Sequence, residues 1–329
     1  MEVKYWYPSR QYVNHKEEFD SALQDVLTRG DLILRKDVER FEESFAKFLG
    51  VKHVIGVASC TDALVISLKA AGLETGDMVL APSYTFRATI EAIVHAGGIP
   101  SLYDMDGKIE AGPAKFIIPA HLEGREMYPD SVDATMIEDA AQAVGATKLR
   151  GLAACYSFYP AKILGCFGDG GAIATNSDEF AEKVRKMRNH YKNFWHEGYG
   201  FNSRLDNLQA TVLNVKLEYL PAALHRRREI ARKYDAALKS IVKTPKSREV
   251  YQDYIIETQH AVPLQTYLQD KGVETMVNEY PFPYGLKKKP QAMMYEAKTL
   301  RLPCTPEHLD SEIDFAIEMI QVFFHGLDV

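Results

Sequence analysis

A lysine followed by a glycine-rich loop is the part of this sequence with the clearest chemical potential. A short apolar and aromatic run, Cys155–Tyr159, predicts a strand that ends at Pro160. Lys162 follows, and four glycines lie within residues 165–171. A lysine sheltered by aromatic side chains can have a lowered pKa, and a neutral amine is a nucleophile for aldehydes. The alternative is an ordinary surface lysine.

Two carboxylates, Glu138 and Asp139, stand at the end of another predicted strand and are followed by small residues. Ligand-binding groups of a parallel sheet cluster at the carboxyl ends of its strands. One buried carboxylate at this edge could pair with a cationic ring nitrogen. The alternative is a turn that carries two solvated acids.

Two further stretches place polar groups where a helix is predicted to begin. In residues 57–64 a strand ends in small and hydroxyl residues and a helix follows at once, which suits a phosphate. The alternative is a plain capped helix, since Ser59, Thr61 and Asp62 are all good cap residues. In residues 198–210, Asn202 or Ser203 could cap the helix predicted from residue 205, but helix capping gives no role to Arg204.

The sequence does not match the motifs of nucleotide-binding loops, zinc sites or disulfide frameworks. The glycines of residues 165–171 do not match G-x-G-x-x-G, and Lys162 precedes Ile163 rather than the Ser or Thr of a P-loop. The four cysteines are scattered without a C-x-x-C pair, so we expect neither a zinc site nor a disulfide framework. His190 and His196 lack a convincing zinc-ligand spacing, so we expect no metal site.

Composition indicates a soluble globular protein. The 329 residues are 46% hydrophobic and 26% charged, with a net charge of -6 and no basic stripe with interleaved aromatics, so we expect no nucleic-acid partner. The first residues lack the apolar core of a signal peptide, and no stretch is long enough to span a bilayer. We therefore expect a reduced, cytoplasmic location.

An alternation of strands and helices begins at residue 53 and predicts an α/β domain with a mainly parallel sheet. The predicted strands are 53–57, 78–81, 99–103, 115–118 and 135–137, and helices are predicted at 16–27, 37–49, 61–71, 86–96 and 177–191. Residues 1–15 are expected to be irregular. Segment 104–134 is short and rich in Gly, Pro and Asp, so we expect trimmed loops there.

The remainder of the chain divides near residue 240. Helices are predicted at 205–220 and 222–238, separated near Pro221, because proline disrupts helix interiors. Strands at 250–257 and 273–277 and helices at 263–271 and 311–324 then predict a smaller α+β domain. We expect a large domain of residues 1–240 and a small one of residues 241–329.

Taken together and in order, the motifs resemble those of the DegT-type nucleotide-sugar aminotransferases. These belong to the aspartate-aminotransferase-like enzymes that use pyridoxal 5'-phosphate (PLP). The resemblance extends from about Gly30 to the last helix. The matching motifs are S-x-T-D-A-L at 59–64, P-S-Y-T-F at 82–86, I-E-D-A-A-Q at 137–142, S-F-Y-P-x-K at 157–162, G-D-G-G at 168–171 and N-S-R-L-D at 202–206. The resemblance implies PLP-dependent transferase fold type I: a mainly parallel seven-stranded sheet sandwiched by helices, with a smaller C-terminal α+β domain.

The resemblance also implies a role for each matching residue. Lys162 resembles the lysine that binds the cofactor covalently, and Asp139 the acid that pairs with the pyridine nitrogen. The other resemblances are Gln142 near the cofactor's 3-hydroxyl, Phe86 stacked on its ring, Cys60 and Thr61 (through backbone amides) and Ser157 on its phosphate, and Asn202 reaching the phosphate from a neighbouring subunit. A homodimer with shared active sites is therefore implied.

The implied reaction moves an amino group from L-glutamate to a nucleotide-linked keto sugar, for amino-sugar biosynthesis. The motifs resemble enzymes of 3-keto sugars more than those of 4-keto sugars. Two alternatives stay open: a 4-keto-sugar aminotransferase, and a PLP-fold protein without turnover that acts as a binding or regulatory module. Cys60 departs from the family's usual glycine and places a side chain beside the phosphate. Arg87, Arg188 and Arg204 are candidates for binding the diphosphate.

Overall fold

The computed structural model describes residues 1–109, 113–129, 133–246, 248–277, 280 and 286–327. Within them, a seven-stranded sheet forms the centre of the larger part of the chain. Its strands are β1 (His53–Val57), β2 (Met78–Pro82), β3 (Ile99–Tyr103), β4 (Phe116–Ile117), β5 (Thr135–Asp139), β6 (Ala153–Ser157) and β7 (Gly171–Thr175). They lie in the order β1-β7-β6-β5-β4-β2-β3. Only β7 runs antiparallel to its neighbours, so the predicted mainly parallel sheet is confirmed.

Helices cover both faces of this sheet. The chain contains α1 (Pro8–Val13), α2 (Lys16–Arg29), α3 (Lys36–Leu49), α4 (Cys60–Ala70), α5 (Arg87–His95), α6 (Asp178–Met187) and α7 (Asn207–Leu238). Apolar residues of α4, α5 and α6 form the core on one face. Those of α2, α3 and α7 form the core on the other. The sheet is therefore buried on both sides, as parallel sheets generally are.

A second, three-stranded sheet follows, with its own core. It contains β8 (Tyr254–Glu257), β9 (Met276–Val277) and β10 (Thr299–Leu302), with the helices α8 (Ala261–Asp270), α9 (Pro290–Ala297) and α10 (Asp310–His325). The strands are antiparallel in the order β8-β10-β9. Ile230 and Tyr234 of α7, and Val3 from the start of the chain, are buried in this second core. The predicted boundary at residue 240 stays a prediction.

The structure corrects the prediction of two helices separated at Pro221. Helix α7 continues through Pro221 for 32 residues. Proline removes one backbone hydrogen bond and crowds the preceding turn, at a cost of about 3 kcal/mol. Leu213, Leu220 and Leu224 are buried in the core that α2, α3 and α7 form on one face of the large sheet. The carboxyl-terminal part of α7 is buried in the core of the three-stranded sheet. Packing against both cores keeps the helix continuous.

Other differences are local. Residues 8–13, expected to be irregular, form the short helix α1, which begins at Pro8. Strand β7, helix α9 and strand β10 were not predicted. Between β3 and β5, the described residues contain β4 and turns but no helix, as predicted from the composition of this segment. None of the helices in the described part of the chain has the length and apolar character needed to cross a membrane.

Candidate active site

Asp139 is the last residue of β5 and lies at the carboxyl edge of the sheet. It is only 6% exposed. Its Oδ2 accepts a hydrogen bond from the hydroxyl of Thr89 at 2.7 Å, and its Oδ1 accepts one from the amide of Ala141 at 3.1 Å. The thiol of Cys60 lies 3.9 Å from Oδ1. The predicted strand-end carboxylate is therefore buried and oriented by three donors.

The amino end of α4 approaches the same edge. Ser59 caps the helix, because its hydroxyl accepts from the amide of Asp62 at 3.1 Å. The helix itself offers no acceptor for the amides of Cys60 and Thr61, its first two residues. Gly171 packs against this turn so closely that a Cβ on it would lie 2.6 Å from the nitrogen of Cys60. Two backbone donors and the positive end of a helix dipole therefore remain available to an anion.

Lys162 lies in the turn between β6 and β7, where its amide donates to the carbonyl of Tyr159 at 2.8 Å. Burial lowers the pKa of its amine, and this effect outweighs the opposing influence of Asp253, Asp139 and Cys60. Arg301 lowers the pKa further. Lys162 and Asp139 thus belong to one electrostatically coupled group, and a greater fraction of the amine is neutral than in an exposed lysine.

Three further predicted residues lie at or just after the carboxyl ends of β6, β2 and β5. Ser157, the last residue of β6, is buried, and its oxygen accepts from the amide of Tyr159 at 3.3 Å. Phe86 precedes α5 and remains 49% exposed, with its ring edge-on to that of Tyr280. Gln142 is buried, accepts from the amide of Glu123 at 2.9 Å and donates to the hydroxyl of Tyr280 at 3.3 Å.

Asn202 is not brought into this group within one chain. It is exposed and forms an isolated antiparallel bridge with Asn189. The next residue, Ser203, is buried and connects to α4, since its hydroxyl accepts from the amide of Ala58 at 3.1 Å and donates to Asp62 at 2.7 Å. The loop that carries Asn202 is therefore attached to the amino end of α4, while Asn202 itself faces outward.

The arginines expected to bind a diphosphate differ in their surroundings. Arg188 is buried and binds both Glu42 and the carbonyl of Gly56, which fastens α3 and β1 to the end of α6. This guanidinium is occupied inside the protein, so Arg188 is not a suitable phosphate ligand. Arg87 pairs with Glu91 on the surface of α5, and Arg204 donates to Asn189 at 2.9 Å.

Sequence reasoning missed the donor Thr89 and the segment Gln252–Asp253. Thr89 lies in α5, four residues after Thr85 of the P-S-Y-T-F motif, and the two hydroxyls are 2.7 Å apart. The recurrence of a threonine so soon after the motif was a usable signal. Gln252 contacts the backbone beside Lys162 from 90 positions away in the chain, and no local pattern indicates such a contact.

Comparison with known proteins identifies the class to which this fold and site belong. A sequence model of the DegT/DnrJ/EryC1/StrS aminotransferase family matches residues 13–321. The UDP-2-acetamido-2-deoxy-3-oxo-D-glucuronate aminotransferase of Pseudomonas aeruginosa is 36% identical, and the match covers 88% of each chain. A Geobacillus stearothermophilus protein named pleiotropic regulatory protein is 35% identical, with 96% of this chain and 97% of that protein covered.

A solved structure agrees with the sequence matches. NtdA of Bacillus subtilis, solved with its cofactor PMP, the amino form of PLP, superposes with a TM-score of 0.90 at 28% identity, covering 98% of this chain and 85% of that one. The fold is that of the PLP-dependent aminotransferases. This chain belongs to the DegT/DnrJ/EryC1/StrS aminotransferase family, and its cofactor is PLP.

The groups gathered at the sheet edge fit this cofactor chemically. PLP presents a ring nitrogen, a phosphate and an aldehyde. The structure offers the buried carboxylate of Asp139, the two amides at the start of α4 and the amine of Lys162. The close contact between Gly171 and α4 leaves the helix start uncovered by side chains from β7.

Proposed function

We propose that this protein transfers an amino group from L-glutamate to a nucleotide-linked keto sugar, with 3-keto sugars as the favoured class. The observation that carries the proposal is the buried carboxylate of Asp139 beside the start of α4, where the thiol of Cys60 lies 3.9 Å from Oδ1, with Lys162 in the turn that follows β6. The 3-keto preference is supported by the sequence motifs and by the Pseudomonas aeruginosa relative, whose name specifies a 3-oxo sugar. Glutamate as donor rests on the resemblance of the motifs.

Asp139 is proposed to hold a proton on the ring nitrogen. Bound there, PLP supplies a ring that withdraws electrons from the substrate carbon bearing the nitrogen. The donors Thr89 and Ala141 occupy one position on each carboxylate oxygen, which fixes the plane of Asp139. A carboxylate held in one orientation is a suitable partner for a protonated ring nitrogen.

The amides of Cys60 and Thr61 and the hydroxyl of Ser157 are proposed to bind the phosphate. The amides lie at the positive end of the α4 dipole, where an anion is stabilised. Ser157 already accepts a hydrogen bond from Tyr159, so its own proton remains available to donate. We propose that the partner's Asn202 completes this site in a homodimer, which agrees with the outward position of Asn202 in one chain.

Lys162 is proposed to bind the cofactor's aldehyde carbon and, once released by the incoming substrate, to move the proton at the reacting carbon. Its lowered pKa supports both tasks, because an amine must be neutral to attack a carbonyl or to accept a proton. We propose that the half-exposed ring of Phe86 stacks on the cofactor ring and that the buried Gln142 orients the ring hydroxyl.

A substrate screen tests the proposed function. The purified protein, loaded with PLP, is incubated with 15N-glutamate and either 3-keto or 4-keto nucleotide sugars, and products are weighed by mass spectrometry. We expect the labelled amine on the 3-keto substrates, and no labelled product with the Lys162→Ala variant. Amination confined to 4-keto sugars would reject the proposed preference. No transfer to any sugar from a protein that binds PLP would favour a regulatory role instead.

A further inference from the structure

The glutamine side chain of residue 252 holds the backbone on both sides of Lys162. Its Oε1 accepts a hydrogen bond from the amide of Ile163 at 3.1 Å. Its Nε2 donates to the carbonyl of Ala161 at 3.1 Å. One amide group therefore binds both peptide neighbours of the lysine, and it reaches them from the segment that leads into β8.

This segment is itself firmly anchored. Nη1 of Arg227, from α7, donates to the carbonyls of Tyr251 at 3.2 Å and Gln252 at 3.1 Å, and also to Cys304 at 2.9 Å. Arg227 is only 2% exposed. A buried charge-assisted contact of this kind is expensive to break. The position of Gln252 is thus set by α7 and by the end of β10.

The next residue, Asp253, is a buried carboxylate that acts on the amine of Lys162. It is 6% exposed. It accepts a hydrogen bond from the hydroxyl of Tyr5 at 2.6 Å and pairs with Arg301 at 3.5 Å. The negative charges of Asp253 and Asp139 both raise the pKa of Lys162, against the larger lowering by burial. Tyr5 and Arg301 keep the carboxylate in place.

We propose that the segment Gln252–Asp253 positions Lys162: Gln252 fixes the backbone that carries the lysine, and the adjacent buried carboxylate of Asp253 acts on its amine through charge. This inference rests on the proposed role of Lys162 as the residue that binds PLP. The inference assigns a role in cofactor attachment to the segment that leads into β8, whereas the other proposed groups lie at the edge of the large sheet.

The predicted pH dependence follows from the groups that face Lys162. In the described residues these are Asp139 from β5, Cys60 from α4, Asp253 before β8 and Arg301 from β10. Burial and Arg301 lower the pKa of the lysine, whereas the other three raise it. Removal of the negative charge of Asp253 therefore lowers the pKa of Lys162 further, and the amine becomes neutral at a lower pH.

The first experiment measures attachment of PLP to the full-length protein after the cofactor has been removed. In this attachment the lysine nitrogen bonds to the aldehyde carbon and the aldehyde oxygen leaves as water. The rate is followed by absorbance across pH, and the bonded residue is identified by borohydride reduction and peptide mass spectrometry. We expect Asp253→Asn to shift the midpoint of the rate profile to lower pH, so that attachment below the wild-type midpoint is faster, by about tenfold per pKa unit.

Asp235→Asn is the matched control. Asp235 accepts a hydrogen bond from Tyr254 at 2.6 Å, the same distance as between Asp253 and Tyr5, but it is not among the groups that act on Lys162. A purely structural effect would lower stability in both variants without moving the midpoint. If Asp253→Asn does not fold, Tyr5→Phe carries the test. It leaves the carboxylate without its hydroxyl donor, so the midpoint should rise, and an unchanged midpoint would reject the role of Asp253.

The second experiment addresses the backbone contact. Gln252→Ala should slow PLP attachment at fixed pH by roughly tenfold, the effect of losing a hydrogen-bonded constraint of ordinary strength. Gln252→Glu, which retains only an acceptor for Ile163, should lie between Gln252→Ala and wild type. Gln321→Ala removes a single glutamine-to-carbonyl bond in α10 and should leave attachment unchanged.

The outcomes separate this inference from the proposed function. PLP bonded to a residue other than Lys162 would defeat the proposed function itself. PLP bonded to Lys162, with wild-type attachment rates and pH midpoints in the Gln252 and Asp253 variants, would defeat only the positioning role.

Discussion

The hydroxyl of Thr89 lies 2.7 Å from Oδ2 of Asp139, so a side chain of α5 orients the carboxylate at the end of β5. Thr89 is fully buried, and its own oxygen lies 2.7 Å from that of Thr85. A relay of hydroxyls thus connects the P-S-Y-T-F motif with the I-E-D-A-A-Q motif. The two motifs are separate in the sequence but act on one carboxylate in the fold.

Replacing Thr89 by valine tests this relay. Valine keeps the shape of the side chain and removes the donor, so Asp139 loses a hydrogen bond. We expect kcat to fall by between about tenfold and a hundredfold, since hydrogen bonds to charged groups contribute about 1.5–3 kcal/mol. Thr211→Val is the control, because the buried Thr211 hydroxyl has no partner among the described residues. That variant should retain wild-type kcat, and an equal loss in both would show that Thr89 contributes only packing.

Replacing Asp139 by asparagine tests the pairing with the ring nitrogen. The amide can occupy the same space, but its single oxygen accepts only one of the two hydrogen bonds from Thr89 and Ala141, and it cannot keep the ring nitrogen protonated. We expect PLP binding to persist while kcat falls by at least about a hundredfold, as for other electrostatic contributions to catalysis. Cofactor binding is measured by absorbance and turnover by glutamate-dependent amine transfer. Near wild-type turnover would contradict the assignment.

Two half-buried lysines among the described residues, Lys162 and Lys216, have a lowered pKa, and only Lys162 is proposed to bind the cofactor. Burial lowers the pKa of Lys216 to about 8, so its amine is also a potential nucleophile. Its Nζ donates to Gln11 at 2.7 Å and lies over the ring of Phe167. We expect Lys162→Ala to abolish covalent attachment of PLP, and Lys216→Ala to leave it intact. Peptide mass spectrometry after borohydride reduction distinguishes the two, and label on Lys216 would overturn the choice of lysine.

The contact between Gly171 and the start of α4 predicts a sharp penalty for a single methyl group. In Gly171→Ala the new Cβ would lie 2.4 Å from the carbonyl carbon of Ser59, which is backbone and cannot swing away. We expect β7 and α4 to separate, with a loss of about 1–3 kcal/mol in stability and at least tenfold weaker PLP binding. Gly326→Ala is the control, since its nearest neighbour lies 3.5 Å away. Unchanged PLP affinity in Gly171→Ala would show that this turn does not bind the phosphate.

Glu312 predicts a pH-dependent contribution to stability. Arg10 binds both of its oxygens at 2.7 Å, and the hydroxyl of Tyr7 and the amide of Leu309 also donate to it. These donors outweigh burial and lower the pKa of Glu312 from 4.5 to about 2. The folded-state pKa is depressed, so the stabilisation is fully present above pH 4.5 and is lost as pH falls towards 2.

We expect Glu312→Gln to lower the free energy of unfolding at pH 7 by about 3 kcal/mol, at about 1.36 kcal/mol per pKa unit. The difference from wild type should shrink as pH falls below 4.5. Denaturant unfolding at several pH values measures it, and exposed Glu318 of the same helix provides the control variant Glu318→Gln. A difference that does not depend on pH would show that Glu312 contributes packing rather than charge.

Local patterns were sufficient for much of the architecture. Strands β1 and β3 have the bounds predicted from the sequence, and α3 and α4 begin within one residue of theirs. Their apolar residues recur with the period of the element they form, and each is bounded by turn residues that lie next to it in the chain. The mainly parallel sheet was predicted from the alternation of strands and helices, whereas the family and the cofactor were implied by the resemblance of six short motifs.

The wrong or missing predictions concern elements whose structure depends on contacts with distant parts of the chain. Pro221 is unfavourable in a helix by itself, yet packing against two cores keeps α7 continuous. Strand β7 runs antiparallel between β1 and β6, a pairing that nothing in its five residues specifies. Such elements are stabilised by contacts that form only when the chain is folded.

The sequence alone therefore determined which residue types are available for the proposed chemistry: an amine, an acid, a helix start and an aromatic ring, each within its own motif. The tertiary structure alone decided how they are held. It places Thr89 against Asp139, Gly171 against Cys60, and Gln252 against the peptide bonds beside Lys162. The physical reason is that a side chain's pKa and orientation depend on burial and on partners distant in the chain, which propensity and periodicity do not encode.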